Sequence, residues 1–262
     1  MSFLRQSFVP VYASHISPFG ELGTNSMLIG GSVVYLKPDE AWPTCPTCTE
    51  ALVPLLQLNA SSRATPDQFR ALLPSVVPGE GTVATMVQLF VCRTVPDCYD
   101  KSTTYSTTTR SWLVRIADVP VGAGDGRSSH RAEPRTKIEQ GMGFLPAKLV
   151  AGWEPGKEET LDEELLWGQD DSDEFYAAHE PESGLKLLGH SVRGKYHCAE
   201  DCPKPGRHEH PSWRELIQLG DRLNCEWEED EALEIMATIG NTWIEQCAEH
   251  PDVLLLSMSG NW

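Results

Sequence analysis

Short apolar runs separated by turn residues dominate this chain, and most have the length and β-branched content of strands rather than the period of helices. Ser32-Val-Val-Tyr-Leu36 reads as a strand that Pro38 ends. Leu52-Val-Pro-Leu-Leu-Gln-Leu58 is apolar with one polar residue near its end. That pattern predicts a strand covered on both faces, which Pro54 pushes toward a sheet edge. Thr82 to Cys92 is the longest such run, and Trp112 to Ile116, Gly240 to Cys247 and Val253 to Met258 add further strands. One helix start stands out at Thr65-Pro66-Asp67, with a hydroxyl cap, a proline in the first helical position and an acid in the first turn. That helix should stop before Pro74. Residues 1 to about 31, with Pro10, Pro18 and Gly30-Gly31, read as a lead-in of turns.

Several elements recur in one order. Leu187-Leu-Gly-His-Ser-Val192 can be laid beside Ile29-Gly-Gly-Ser-Val33, and Leu216-Ile-Gln-Leu219 beside Leu55-Leu-Gln-Leu58. Cys198 and Cys202 then fall beside Cys45 and Cys48, and the strand ending at Cys247 beside the one ending at Cys92. Four matches in one order predict an internal repeat. The expected fold is α+β, antiparallel-sheet-rich and duplicated. Its first half covers 1–115, a loop and acidic connector 116–183, and its second half 184–262.

The cysteines give this repeat its chemistry. Trp42-Pro-Thr-Cys45-Pro-Thr-Cys48 has the spacing that presents two thiolates to one tetrahedral metal, and Cys92 with Cys98 is the nearby pair that would close a four-sulfur shell. Cys198 and Cys202 with Cys247 and His250 form the corresponding second set. In that set Cys225, His197, His208 or His210 could replace an assigned ligand. Zinc is the expected ion, and four protein ligands leave no position for water, which makes each site structural rather than catalytic.

Charge narrows the partner. The 262 residues carry 38 acidic and 21 basic side chains, a formal net charge of -17. A phosphate backbone would be repelled, so direct nucleic-acid binding is not expected, whereas a basic protein is accommodated. Glu154 to Glu182 is strongly acidic; it reads as a solvated connector or as the surface that captures a basic segment. No apolar run approaches the roughly 18 residues of a membrane span, and no secretory leader is evident. A cytosolic or nuclear protein is expected, in which eight cysteines serve metal ligation rather than disulfides.

The Gly-Gly element before Trp42-Pro43, the Leu-Leu-Gln-Leu-Asn59 stretch, the Gly81 to Phe90 run and the closing Cys247-Ala-Glu-His250-Pro-Asp resemble the YwqG-like proteins. The resemblance covers both ends of the chain and is weakest between about 101 and 183. It implies a duplicated α+β fold. The family is similar in its core to the programmed-cell-death-2 proteins, thought to act as dedicated chaperones for a ribosomal protein. Not every member carries cysteine pairs, so the zinc reading rests on the residues of this chain.

Enzyme motifs are weak by comparison. His208-Glu209-His210 places two imidazoles beside a carboxylate between prolines, without the helical spacing of a zinc peptidase, and supports a metal-dependent hydrolase with His197 only as the alternative. Ser128, Ser129, His130 and Asp125 are sequence neighbours in an irregular loop, which does not make a triad. Binding of another protein, as a chaperone or assembly factor, is the expected function.

Overall fold

The computed structural model describes residues 4–13, 27–30, 34–36, 40–74, 83–92, 112–120, 130–132, 148–159, 178–179, 181, 184–190, 202, 204, 213–220 and 242–258. Twelve strands and one helix are named among them. In chain order they are β1 (Arg5–Tyr12), β2 (Met27–Ile29), β3 (Val34–Leu36), β4 (Val53–Asn59), α1 (Asp67–Arg70), β5 (Val83–Val91), β6 (Trp112–Pro120), β7 (His130–Ala132), β8 (Lys148–Glu159), β9 (Lys186–Leu188), β10 (Trp213–Leu219), β11 (Thr242–Cys247) and β12 (Leu254–Met258).

Ten strands form one antiparallel sheet in the order β12-β11-β10-β9-β1-β8-β2-β4-β5-β6, and β3 pairs with β7 in a small second sheet. The outermost strands β12 and β6 approach each other to within 8 Å between Cα atoms, so the sheet curls nearly into a barrel. Its interior is the main core, in which Phe8, Met27, Ile29, Leu56, Leu89, Leu187, Ile217, Ile244 and Leu256 meet. Residues 60–74, between β4 and β5, fold into this core as an insert, with Phe69 and Leu73 buried.

The central pair β1 and β8 has a flank on each side, and the two flanks share a register. On one side Ile29, Leu56, Leu89 and Val114 lie opposite one another across β2, β4, β5 and β6. On the other side Leu187, Ile217, Ile244 and Leu256 do the same across β9, β10, β11 and β12. Both flanks carry a register shift at the same place, between Pro54 and Leu56 and between Glu215 and Ile217. A bulge of this kind adds a residue to one strand and bends it.

Three sequence expectations are corrected. The lead-in of turns contains β1, a strand at the centre of the sheet whose Pro10 faces Trp153 of β8. Pairing of β1 with β9 is confined to Ser7 and Phe8, so on that side Pro10 has no ladder donor to supply. Pro54 likewise lies in an internal strand, not an edge. Among the described residues the pairing of β4 with three-residue β2 covers Leu56 and Gln57, and Pro54, beside the bulge, pairs with Phe90 of β5. Finally, the segment read as loop and connector, 116–183, supplies the end of β6, β7 and all of β8. Of the three acidic side chains in β8, Glu154 and Glu158 are exposed and Glu159 is buried.

The predicted helix is present but short. α1 has no side-chain N-cap: Thr65 Oγ1 donates instead to Asn59 O at 2.8 Å, binding the insert to the end of β4. Among the described residues no helix is long and apolar enough to cross a membrane.

Candidate metal centres

The first centre is built on a tight turn before β4. Thr44 and Ala51 form a bridge, Cys45 N donates to Glu50 O and Thr49 N to Cys45 O, both at 2.8 Å. Thr49 sits at φ 65°, the left-handed region that a β-branched residue seldom adopts. This reversal turns Cys45 and Cys48 to the same side. Cys92 arrives from the opposite direction, one residue beyond β5 and three beyond Leu89.

The three sulfurs lie within 4.8 Å of one another, and Cys48 Sγ is 3.5 Å from Cys92 Sγ. A disulfide would require about 2.05 Å. Thiolates on a tetrahedral zinc stand roughly 3.8 Å apart, given Zn–S bonds of about 2.3 Å. The spacing thus suits a shared ion. Around the centre Val34, Leu36, Leu52 and Phe90 exclude water, Trp42 meets Phe90 edge-on at 6.4 Å, and Trp42 Nε1 donates to Leu52 O at 2.8 Å.

The second centre uses the hairpin between β11 and β12. Cys247 ends β11, and His250 follows in a turn closed by Val253 N donating to His250 O at 2.8 Å and Cys247 N to Val253 O at 3.1 Å. Cys202 joins them. His250 Nδ1 is 3.4 Å from Cys202 Sγ and 3.7 Å from Cys247 Sγ, near the roughly 3.6 Å expected between sulfur and nitrogen on one zinc. The ring therefore offers Nδ1, not Nε2, to the site. Burial pushes the Cys202 thiol above its ordinary range, the Lys204 backbone N–H pulls it back, and neighbouring Cys247 pushes it up further. An ion entering there displaces a proton.

Each triad could hold a metal ion. Six of the eight predicted ligands are thus brought together as two groups of three, while Cys98 and Cys198 lie outside the described residues. Cys225, His197, His208, Glu209 and His210 lie outside them as well. His130, read as part of an irregular loop, belongs to β7, where its backbone pairs with Leu36.

Sequence reasoning missed a buried ionic cluster near the central pair. Lys186 Nζ donates to both carboxylate oxygens of Glu159 at 2.7 Å and to His190 O at 2.7 Å, and His190 N donates to Glu159 Oε2 at 2.6 Å. Lys186 is 1% exposed and Glu159 0%. The turn between them passes through Gly189 at φ +78°, where a Cβ would come within 2.3 Å of Glu159 Oε2. All three donors of the ammonium are used in holding β9 to the end of β8, so the cluster is a structural lock. A Gly-His pair after an apolar run carries no sequence signal for it.

Comparison with family models and with curated proteins returns no match.

Proposed function

We propose that this chain is a protein-binding module of the YwqG-like type, built from two copies of one unit, each stapled by a structural zinc, and acting as a chaperone or assembly factor for a basic protein. The observation that carries the reading is the equivalence of the two triads. Cys92 and Cys247 occupy the same register position, three residues beyond the opposed Leu89 and Ile244, and each gathers donors from a neighbouring loop. Two metal sites repeated at equivalent places along a sheet are what a duplicated stapled unit produces.

With Cys98 and Cys198 as fourth ligands both shells are closed, and a closed shell supports folding rather than catalysis. Zinc suits sets of soft thiolates with one imidazole in a tetrahedral spacing. The net charge of -17 supports a basic partner, and exposed Glu154 and Glu158 on β8 are candidate contacts.

The test has two readouts. Elemental analysis of untagged protein is expected to give two zinc ions per chain. Capture of basic proteins is expected to weaken with salt and with E154Q/E158Q, since exposed charge pairs are screened. Metal-free protein that remains folded would defeat the staple, and capture indifferent to both changes would defeat the acidic contact.

A further inference from the structure

One buried amide joins the second centre to the core insert. Gln246 immediately precedes the ligand Cys247 on β11 and is 1% exposed. Its Nε2 donates to Leu72 O at 2.7 Å and to Pro251 O at 2.8 Å. Two carbonyl oxygens can face only the nitrogen of an amide, so its orientation is fixed. Pro251 directly follows the ligand His250 inside the hairpin turn, whereas Leu72 belongs to the insert of the opposite flank, 174 positions away in sequence.

The seam adds to the ties that Thr65 makes to β4 and meets the insert at its far end. α1 spans only Asp67–Arg70, too little to hold its shape unaided. Phe69 and Leu73 are seated in the core with Leu216, Ile244 and Leu256, and Leu72 and Leu73 donate to Phe69 O and Arg70 O. Gln246 thus touches both the turn whose shape a metal would set and the segment that fills the interior of the sheet.

We propose that Gln246 is a positioning residue that couples metal binding at Cys202, Cys247 and His250 to the seating of residues 60–74 in the core. The coupling rests on the metal reading above and adds a regulation to it. With an ion bound, the hairpin turn is pinned from three sides, Pro251 O is held beside Gln246, and the amide is aimed at Leu72 O. Without it Cys202 no longer restrains the turn, Gln246 loses one of its two anchors and the insert loosens. Metal at one flank then governs access to the apolar interior next to the other. Local opening of this kind is read by amide exchange.

The experiment compares hydrogen exchange at residues 69–73, in the full chain at saturating zinc, for the wild type, C48S, C202S and Q246L. Both cysteine variants are expected to lose one metal per chain. Only C202S should speed exchange at 69–73, by about tenfold, with a matching rise in hydrophobic dye binding. Q246L should keep fast exchange whether or not the second ion is bound, and should weaken zinc at the second centre about tenfold while leaving the first unchanged, because the turn that carries His250 loses its contact at Pro251 O. A merely structural amide would not separate the two affinities. Should C202S not fold, stepwise chelation of the wild type gives the same reading when the second ion leaves. Loss of that ion with exchange at 69–73 unchanged overturns the coupling alone. A wild type that binds no metal overturns the metal reading and the coupling with it.

Discussion

The two flanks of the sheet share a backbone plan and differ in what it carries. Inward, both rows are aliphatic: Ile29, Leu56, Leu89 and Val114 against Leu187, Ile217, Ile244 and Leu256. The next row diverges, with Leu28, Gln57, Gln88 and Arg115 facing Lys186, Gln218, Trp243 and Ser257 in corresponding positions. Gln57 and Gln218 match, but their partners do not. Gln88 Nε2 donates to Gln57 Oε1 at 2.9 Å and itself accepts from Arg115 Nε at 2.9 Å. Gln218 Oε1 accepts instead from Trp243 Nε1 at 3.0 Å. The interior row is constrained by the shared core, whereas the other row lies outside that core and can carry different side chains in the two flanks. The metal centres follow the same rule: similar position, three sulfurs in one and two sulfurs with an imidazole in the other.

The strongest way to break the comparison is to remove equivalent ligands. C92S and C247S are each expected to cost one zinc and to lower the melting temperature by about 10 °C or more, because binding energy at a structural zinc is folding energy. A large fall in one variant and none in the other would make one centre incidental. Metal uptake at the second centre should also strengthen from about pH 6 to about pH 8, since the Cys202 thiol, pushed up chiefly by burial, must lose its proton to ligate. Isothermal titration in two buffers of different ionisation enthalpy would count that proton.

The next effect comes from the divergent row. Lys186 occupies the position that Leu28 fills in the other flank, so K186L restores the side chain the plan already tolerates there. It nevertheless is expected to destabilise by about 3–5 kcal/mol, because it strips the cation from a buried Glu159. Adding E159L in the same chain should recover much of the loss. Urea unfolding of the single and double variants decides it: a neutral K186L would mean that the fold does not depend on this ion pair.

These contrasts explain what the sequence revealed. The apolar runs gave six of the twelve described strands, since a strand covered on both faces is written as a continuous run of aliphatics, as in Leu52 to Leu58. Cys45 and Cys48 were legible because a knuckle is local. Cys92 was legible as part of the nearby pair that could complete that site, whereas Cys202, Cys247 and His250 could be grouped only by laying the end of the chain beside its start; the described members of each set lie together in space. What stayed hidden is long-range. β1 looked like turns because Pro10 reads as a breaker until one knows that β9 ends before reaching it. Glu159 looked like one more solvated acid because Lys186, 27 positions on, carries no mark of its burial.

A smaller effect sharpens the contrast between the two turns. The first holds Thr49 at φ 65° and the second has no described non-glycine residue in that region. T49G should relieve the strain at the cost of greater freedom in the unfolded chain, for a net gain of about 1 kcal/mol, with both metals retained. Cys48 and its neighbours would keep their turn, because Cys45 N to Glu50 O does not depend on the Thr49 side chain. A loss of stability would show that Thr49 Oγ1, which donates to Cys48 O at 2.6 Å, matters more than the backbone strain.

The smallest effect lies at the rim of the second centre. Lys204, two residues after Cys202, pairs with Asp252, two residues after His250, so the ion pair spans the same two segments as the second triad. The hydrogen bond from Lys204 is the main reason the Asp252 carboxyl lies below its ordinary value of 3.8. A carboxyl lowered by folding adds stability above that ordinary value and loses it as pH falls through the lower, folded value. D252N should therefore differ from the wild type at neutral pH and converge with it once the pH has fallen through the lowered, folded value. With Lys204 45% and Asp252 54% exposed, the neutral-pH difference should also vanish in roughly 1 M salt. Thermal melts of the zinc-loaded chain at low and high salt test this. If a difference persists at high salt, the pair is not a screened surface contact but part of what holds Cys202 and His250 together, and the second centre is then braced by more than its ion.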